Sequence, residues 1–270
     1  AGVELRKQAK IESIEKASEK FVIKLRDGEL FADRIILTTG SAPWGHAIAK
    51  KFGHTIVPPV PSLFTFNVPK SPLLDLSGIS VEDAELTLKA CKLKERGPLL
   101  LTHWGFSGPA ALKLSAWGAR KLFDLDYKTT LTINWLPSKS EEALFSHFLK
   151  CKKKSPQKKL ISQLPTNLFE RLMEGLLLDP KKPAREFSDK SLARLAAKLH
   201  GDSYPVEGKT TYKQEFVTAG GVTLKEVDFK TMESKFCPGL YFAGEILNID
   251  GITGGFNFQN AWTTAYLAGS

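Results

Sequence analysis

The chain has 270 residues, 42% of them hydrophobic and 25% charged, with a formal net charge of +9. This length holds one large or two smaller domains, and the composition excludes a disordered or fibrous chain. No apolar run approaches the roughly 18 residues of a membrane span, and the opening AGVELRKQAK has no apolar secretory core. Cys91, Cys151 and Cys237 are too scattered for a disulfide framework, and the five histidines show no ligand spacing. A cytoplasmic protein without a structural metal is therefore expected.

In chain order, the pattern predicts a short strand over 3–6 and then FVIKLRDGELFADRIILTTG, two β-rich runs joined by Asp27-Gly28. The apolar run RIILTTG ends at Gly40, as a buried parallel strand does where its C-terminal end meets a ligand or a crossover. PPVP at 58–61 is expected to break regular structure and to mark a domain boundary. Several antiparallel strands follow, with one helix over 109–122 that Ser107-Gly108-Pro109 opens. Past Pro137 the spacing turns helical in three segments, with Ser138 or Ser140, Thr166 and Ser188 as candidate caps. The β pattern returns at Tyr212, and LYFAG stops at Gly244 as the earlier strand stopped at Gly40. The expected division is one domain from 1–58 and 209–270, interrupted by an insert at 59–208 that is β-rich to 137 and a helical bundle thereafter.

Much of the positive charge is local: fourteen Lys/Arg stand against eight Asp/Glu between Lys139 and Pro205, densest in KCKKKSPQKK at 150–159. That run lacks the interleaved aromatics of a base-stacking surface and reads as a solvated helix face. Nucleic acid is thus not the expected partner. The alternative is a binding module that docks RNA or another acidic partner through this basic insert.

Three features sit at predicted strand ends: LTTG at 37–40, FAGE at 242–245, and TGGFN at 253–257 opening a helix. Paired glycines permit positive φ and close backbone approach, and a helix N-terminus offers unpaired N–H groups. With one carboxylate acceptor added, the set suits a dinucleotide. On these residues, and on LLLTHWGFSGPAALKLS at 99–115 and the long run from 217 to 262, the chain resembles the two-dinucleotide-binding-domain flavoproteins. Within them it is similar to the HI0933-like family, also described as BaiN/YhiN or aminoacetone-oxidase type.

The resemblance implies an α/β fold: an FAD/NAD(P)-binding Rossmann-like domain made from both ends of the chain, around a β-rich and helical insert. It implies FAD as cofactor, NAD(P)H as a candidate electron donor, and hydride transfer to or from a small-molecule substrate. By the same resemblance Thr39 and Gly40 approach the phosphate and ribose side of FAD, and Gly244 and Glu245 hold the ribityl and pyrophosphate region. Gly254, Gly255, Phe256 and Asn257 would lie under the flavin ring, and His103 would be a substrate contact. The chain departs from the family pattern at Asn248, where Asp is frequent, and at Phe256, where Tyr is frequent. A G-x-G-x-x-G fingerprint does not occur in these residues, so a fragment lacking the first βαβ unit is expected. A hydrolase reading from Ser107 and His103 is weak, because Gly105-Phe106-Ser107-Gly108 lacks the spacing of a nucleophile elbow. Ser107 is instead expected to cap the helix that follows.

Overall fold

A computed structural model describes residues 2–154, 161–210 and 217–270. The chain divides into two compact units, 1–60 with 218–270 and 61–217.

The first unit opens with a three-stranded antiparallel meander, Ile11–Ala17, Lys20–Leu25 and Gly28–Ala32. Its hairpin turns through Arg26-Asp27, since Leu25 faces Gly28 across the ladder, and Ile14 and Phe21 supply its buried face. No strand forms over 3–6, where Val3 and Leu5 are exposed and have no ladder partner to make extension worthwhile.

The meander leads into Ile35–Leu37, which runs parallel to Leu240–Phe242 with Ile35 opposite Leu240 and Leu37 opposite Phe242. Short antiparallel strands Val227–Asp228 and Glu233–Ser234 complete this sheet, and Pro43–Lys51 is the helix after Gly40. Leu37, Ala49, Val222, Met232, Leu240, Phe242, Ile246 and Leu247 share its core. Residues about 200 apart in sequence thus meet in one sheet, held by the burial of both apolar strands.

PPVP does not break regular structure. Among the described residues Ile56–Ser62 is a strand paired with Val217–Val222 only, and such an edge tolerates prolines that cannot donate to a second ladder. Gly220 and Gly221 make the crossing possible. A Cβ on Gly220 would lie 2.7 Å from Pro59 Cα, and one on Gly221 would lie 2.4 Å from the Ile246 carbonyl oxygen. Both contacts are to backbone, which cannot swing aside. Gly221→Ala should therefore destabilise this unit by about 2–4 kcal/mol, read from the midpoint of denaturant unfolding. An unchanged midpoint would remove the close-approach argument.

The second unit is built on a closed antiparallel barrel. Around it the strands run Lys128–Asn134, Asp202–Thr210, Thr65–Asn67, Gly105–Ser107, Leu93–Leu101 and Ser80–Leu88, the last pairing back to the first. Phe66, Leu86, Leu88, Leu99, Leu101, Phe106, Leu131, Ile133 and Trp135 belong to its core. Closure leaves no edge strand to protect. The helix expected over 109–122 is two, Pro109–Trp117 and Ala119–Asp124, because Gly118 ends the first and starts the second.

The helices beyond it are Glu141–Lys154, Thr166–Glu174 and Asp189–His200. Ser140 accepts from the Ala143 N–H and Ser188 from the Ser191 N–H, as caps do. Thr166 is the first helical residue, and Pro165 takes the capping position. Residues 155–160 of the lysine run, and the start of the β return at 212, lie outside the described residues.

The expected end of the insert at 208 is corrected to 217. Asp202–Thr210 is a strand bonded on both sides, to Lys128–Asn134 and to Thr65–Asn67, so it belongs to the barrel. At its start, buried Asp202 accepts from Trp135 Nε1 at 3.1 Å, the Tyr204 hydroxyl at 2.5 Å and Lys198 Nζ at 2.6 Å. Burial, with the Asp202 carboxylate beside it, holds the Tyr204 phenol far above its ordinary range and keeps it a donor.

Candidate functional site

The two strands that the sequence singled out, LTTG and FAGE, are parallel neighbours, and the Ala243 N–H donates to the Leu37 carbonyl at 3.1 Å. Their C-terminal ends therefore emerge side by side, which is where open α/β sheets bind ligands. Thr39 and Gly40 leave one end, and Gly244 and Glu245 leave the other. Gly40 and Gly244 adopt φ +58° and +75°, so both chains turn sharply there.

Thr39 tucks against the helix Pro43–Lys51. A Cβ on Gly45 would come within 1.9 Å of Thr39 Oγ1, so only glycine leaves room for it. That hydroxyl oxygen is buried without a hydrogen-bond partner. One residue further, His46 is buried with Nε2 also unpartnered, and burial together with nearby Lys50 depresses its pKa, favouring the neutral ring. The sequence reading missed His46. Its only signal was a titratable residue six positions after the glycine at a strand end.

Glu245 is half-buried, and among the described residues its carboxyl has no ion pair or hydrogen bond. Burial pushes its pKa above the ordinary 4.5. The folded protein then holds a proton that the unfolded chain has released, so stability falls as pH rises from about 4.5 through the folded value. Glu245→Gln removes this penalty. The variant should melt above wild type at neutral pH, with the difference vanishing below about pH 4.5. Equal melting at both pH values would mean that the carboxyl is solvated.

The terminal helix Phe256–Gly269 is pinned to the second strand end. The Gly244 N–H donates to Thr264 Oγ1 at 2.9 Å, and the Thr264 hydroxyl donates to the Asn260 carbonyl. The helix start has no side-chain cap, Gly254 and Gly255 precede it at φ +119° and +82°, and both are exposed. Its first N–H groups thus remain open to an anionic or carbonyl-bearing ligand. Phe256 is exposed beside them, whereas the Asn257 side chain is spent on the loop: Oδ1 accepts from the Gly251 N–H and Nδ2 donates to the Gly251 carbonyl.

His103 lies in the barrel unit, exposed in the bend between Thr102 and Gly105. Ser107 is not a helix cap. Its oxygen accepts from the Thr65 hydroxyl at 2.9 Å, and Gly108 takes the capping position. A Ser-His-acid arrangement does exist elsewhere, where Ser234 lies 2.7 Å from His54 Nε2 and Glu226 lies 3.2 Å from Nδ1. It is a structural clamp: His54 and Ser234 are buried, and Ser234 Oγ already accepts from the Phe236 and Cys237 N–H groups.

The HI0933-like protein Rossmann domain matches residues 1–270. The chain belongs to the HI0933-like family. Among its relatives is the 3-dehydro-bile acid delta(4,6)-reductase of Clostridium scindens, 31% identical over 99% of this chain and 70% of that protein. The ribosomal RNA dihydrouridine synthase of Haemophilus influenzae is 33% identical over 92% of the chain and 62% of its own length. That of Escherichia coli is 29% identical, over 98% and 66%. The chain thus spans about two thirds of the length of these relatives. An HI0933-like chain is a member of an oxidoreductase family of mixed α/β fold, with a flavin or nucleotide cofactor. The residues at the strand ends fit such a group: an orphaned buried hydroxyl at Thr39, an unpaired carboxyl at Glu245 and an uncapped helix start. Among the described residues no helix is long and apolar enough to cross a membrane.

Proposed function

We propose that this protein is an FAD-dependent oxidoreductase that moves hydride between FAD and a substrate at the paired strand ends. The observation that carries this reading is the adjacency of Thr39-Gly40 and Gly244-Glu245, with the uncapped helix Phe256–Gly269 tied to the second. Thr39 Oγ1 and the turn at Gly40 would hold phosphate or ribose, and Glu245 would accept from ribityl hydroxyls. The N–H groups after Gly255 would face the ring carbonyls, where the partial positive charge of a helix N-terminus suits electron-rich oxygens. FAD, when bound, supplies hydride acceptance and donation, and the chain supplies orientation and exclusion of water. NAD(P)H is the proposed electron donor.

The names of the relatives point to the bond at stake. A delta(4,6)-reductase and a dihydrouridine synthase both saturate a carbon–carbon double bond, and we propose the same reaction type here. Unpaired Cys91, Cys151 and Cys237 suit a reducing, cytoplasmic setting.

Titrating the protein with FAD while recording visible absorption tests this reading. Flavin bands that perturb and saturate support it, together with bleaching by NAD(P)H and recovery on adding an enone. A protein that leaves the FAD spectrum and fluorescence unchanged would refute it.

A further inference from the structure

We propose that one outer face of the barrel unit is an RNA-docking surface, made by the turn at Lys89–Cys91, the helices Pro109–Trp117 and Ala119–Asp124, and the end of the strand Asp202–Thr210. This inference rests on the flavin reading only for the reaction it would serve.

Positive charge is concentrated in this unit. Residues 61–217 hold twenty-five Lys/Arg against seventeen Asp/Glu, eight of the chain's nine net positive charges. Within it, 89–128 carries eight basic and three acidic residues, an excess close to that of the lysine-rich helical segment. The lysine run at 150–159 has no interleaved aromatics, but this face does. Trp117 is 59% and Phe123 51% exposed, two large rings presented to solvent among these cations.

Contacts within the fold join these groups into one surface. Lys121 Nζ donates to the Cys91 carbonyl, which brings the exposed Lys92 beside the second helix. Trp117 Nε1 donates to Glu95 at 2.8 Å, which fixes the indole on the strand Leu93–Leu101 that begins right after Lys92. Phe123 meets Tyr127 edge to face at 6.3 Å, and Lys209 Nζ lies 4.9 Å from the centre of the Tyr127 ring. Asp124 and Asp126 also stand here, and Lys128 pairs with Asp126 at 2.6 Å.

Cations that track phosphates, set among exposed rings on which bases stack, are the two parts of a single-strand RNA platform. An acidic protein would use the cations but would not need bare rings. Two relatives are named for action on ribosomal RNA, which fits a substrate that must be held by more than the redox centre.

Fluorescence anisotropy with a labelled single-stranded RNA of about 16 nucleotides tests the face. The protein should bind with a salt dependence of roughly −0.7 in log K against log salt for each phosphate contacted. Lys92→Glu with Lys121→Glu should weaken binding about 10-fold and flatten that slope. Trp117→Ala or Phe123→Ala should weaken it roughly 5- to 100-fold, and Trp117→Phe should restore most of it, as stacking requires and a folding defect does not. Circular dichroism and FAD titration of each variant should match wild type, so failure here is separable from failure of the flavin reading. Absence of RNA binding by the wild type would overturn the proposal. So would variants of this face that bind normally while Lys150→Glu with Lys152→Glu does not.

Discussion

Gly254→Val should lower FAD affinity by roughly 100-fold while leaving the fold in place. Gly254 sits at φ +119°, where a β-branched residue is strained by about 1–3 kcal/mol, and its exposed side faces the ground before the helix start. A Cβ there also comes within 3.3 Å of the Phe256 ring, so valine must displace that ring or move the loop. Either change takes the first N–H groups of the helix away from the ligand. Gly255→Ala separates strain from obstruction, because a Cβ there meets nothing within 4 Å and only the φ of +82° opposes it. Its effect should be smaller, about 1–2 kcal/mol. Gly269→Ala, at the far end of the same helix with open space around it, should do nothing. Absorption titration of the three reads the series, and normal flavin uptake by the valine variant would sink the assignment of this loop.

Asp202→Ala should destabilise the barrel unit by about 3–5 kcal/mol and lower its melting temperature by roughly 10 °C. The carboxylate is buried and is the shared acceptor for the Trp135 indole, the Tyr204 hydroxyl and the Lys198 ammonium. Removing it leaves two donors unpaired and one charge poorly compensated, each of which is expensive away from water. The geometry explains the site: Asp202 opens the strand that follows the helix Asp189–His200, four residues after Lys198, so one carboxylate ties that helix to the barrel wall. Asp202→Asn combined with Lys198→Met removes both charges and should recover a large part of the loss. Near-ultraviolet circular dichroism through a thermal ramp reads all three proteins. A loss under about 1 kcal/mol for the alanine variant would show that water replaces the carboxylate.

The sequence by itself determined the local features whose cause is local. Strand runs ending in Gly40 and Gly244, the hairpin near Asp27-Gly28, the capping role of Ser188, and the glycine pair before the last helix all follow from backbone chemistry within a few residues. The run from 217 to 262, together with LTTG at 37–40 and the run at 99–115, pointed to the family.

Other properties depended on partners far away in the chain, and only the tertiary structure decided them. PPVP forms a strand because Val217–Val222 supplies one ladder and nothing demands the other. Asp202–Thr210, which follows directly on a helical segment, is a strand because two barrel neighbours bond it. The hydroxyl of Thr39 and the ring of His46 count as unsatisfied only once the helix and core around them exclude water, a property of burial that composition cannot express. Charge shows the same limit. The lysine run at 150–159 was conspicuous because its cations are consecutive, whereas Lys92, Trp117, Lys121, Phe123 and Lys209 become one surface only when strand, helix and turn are folded together.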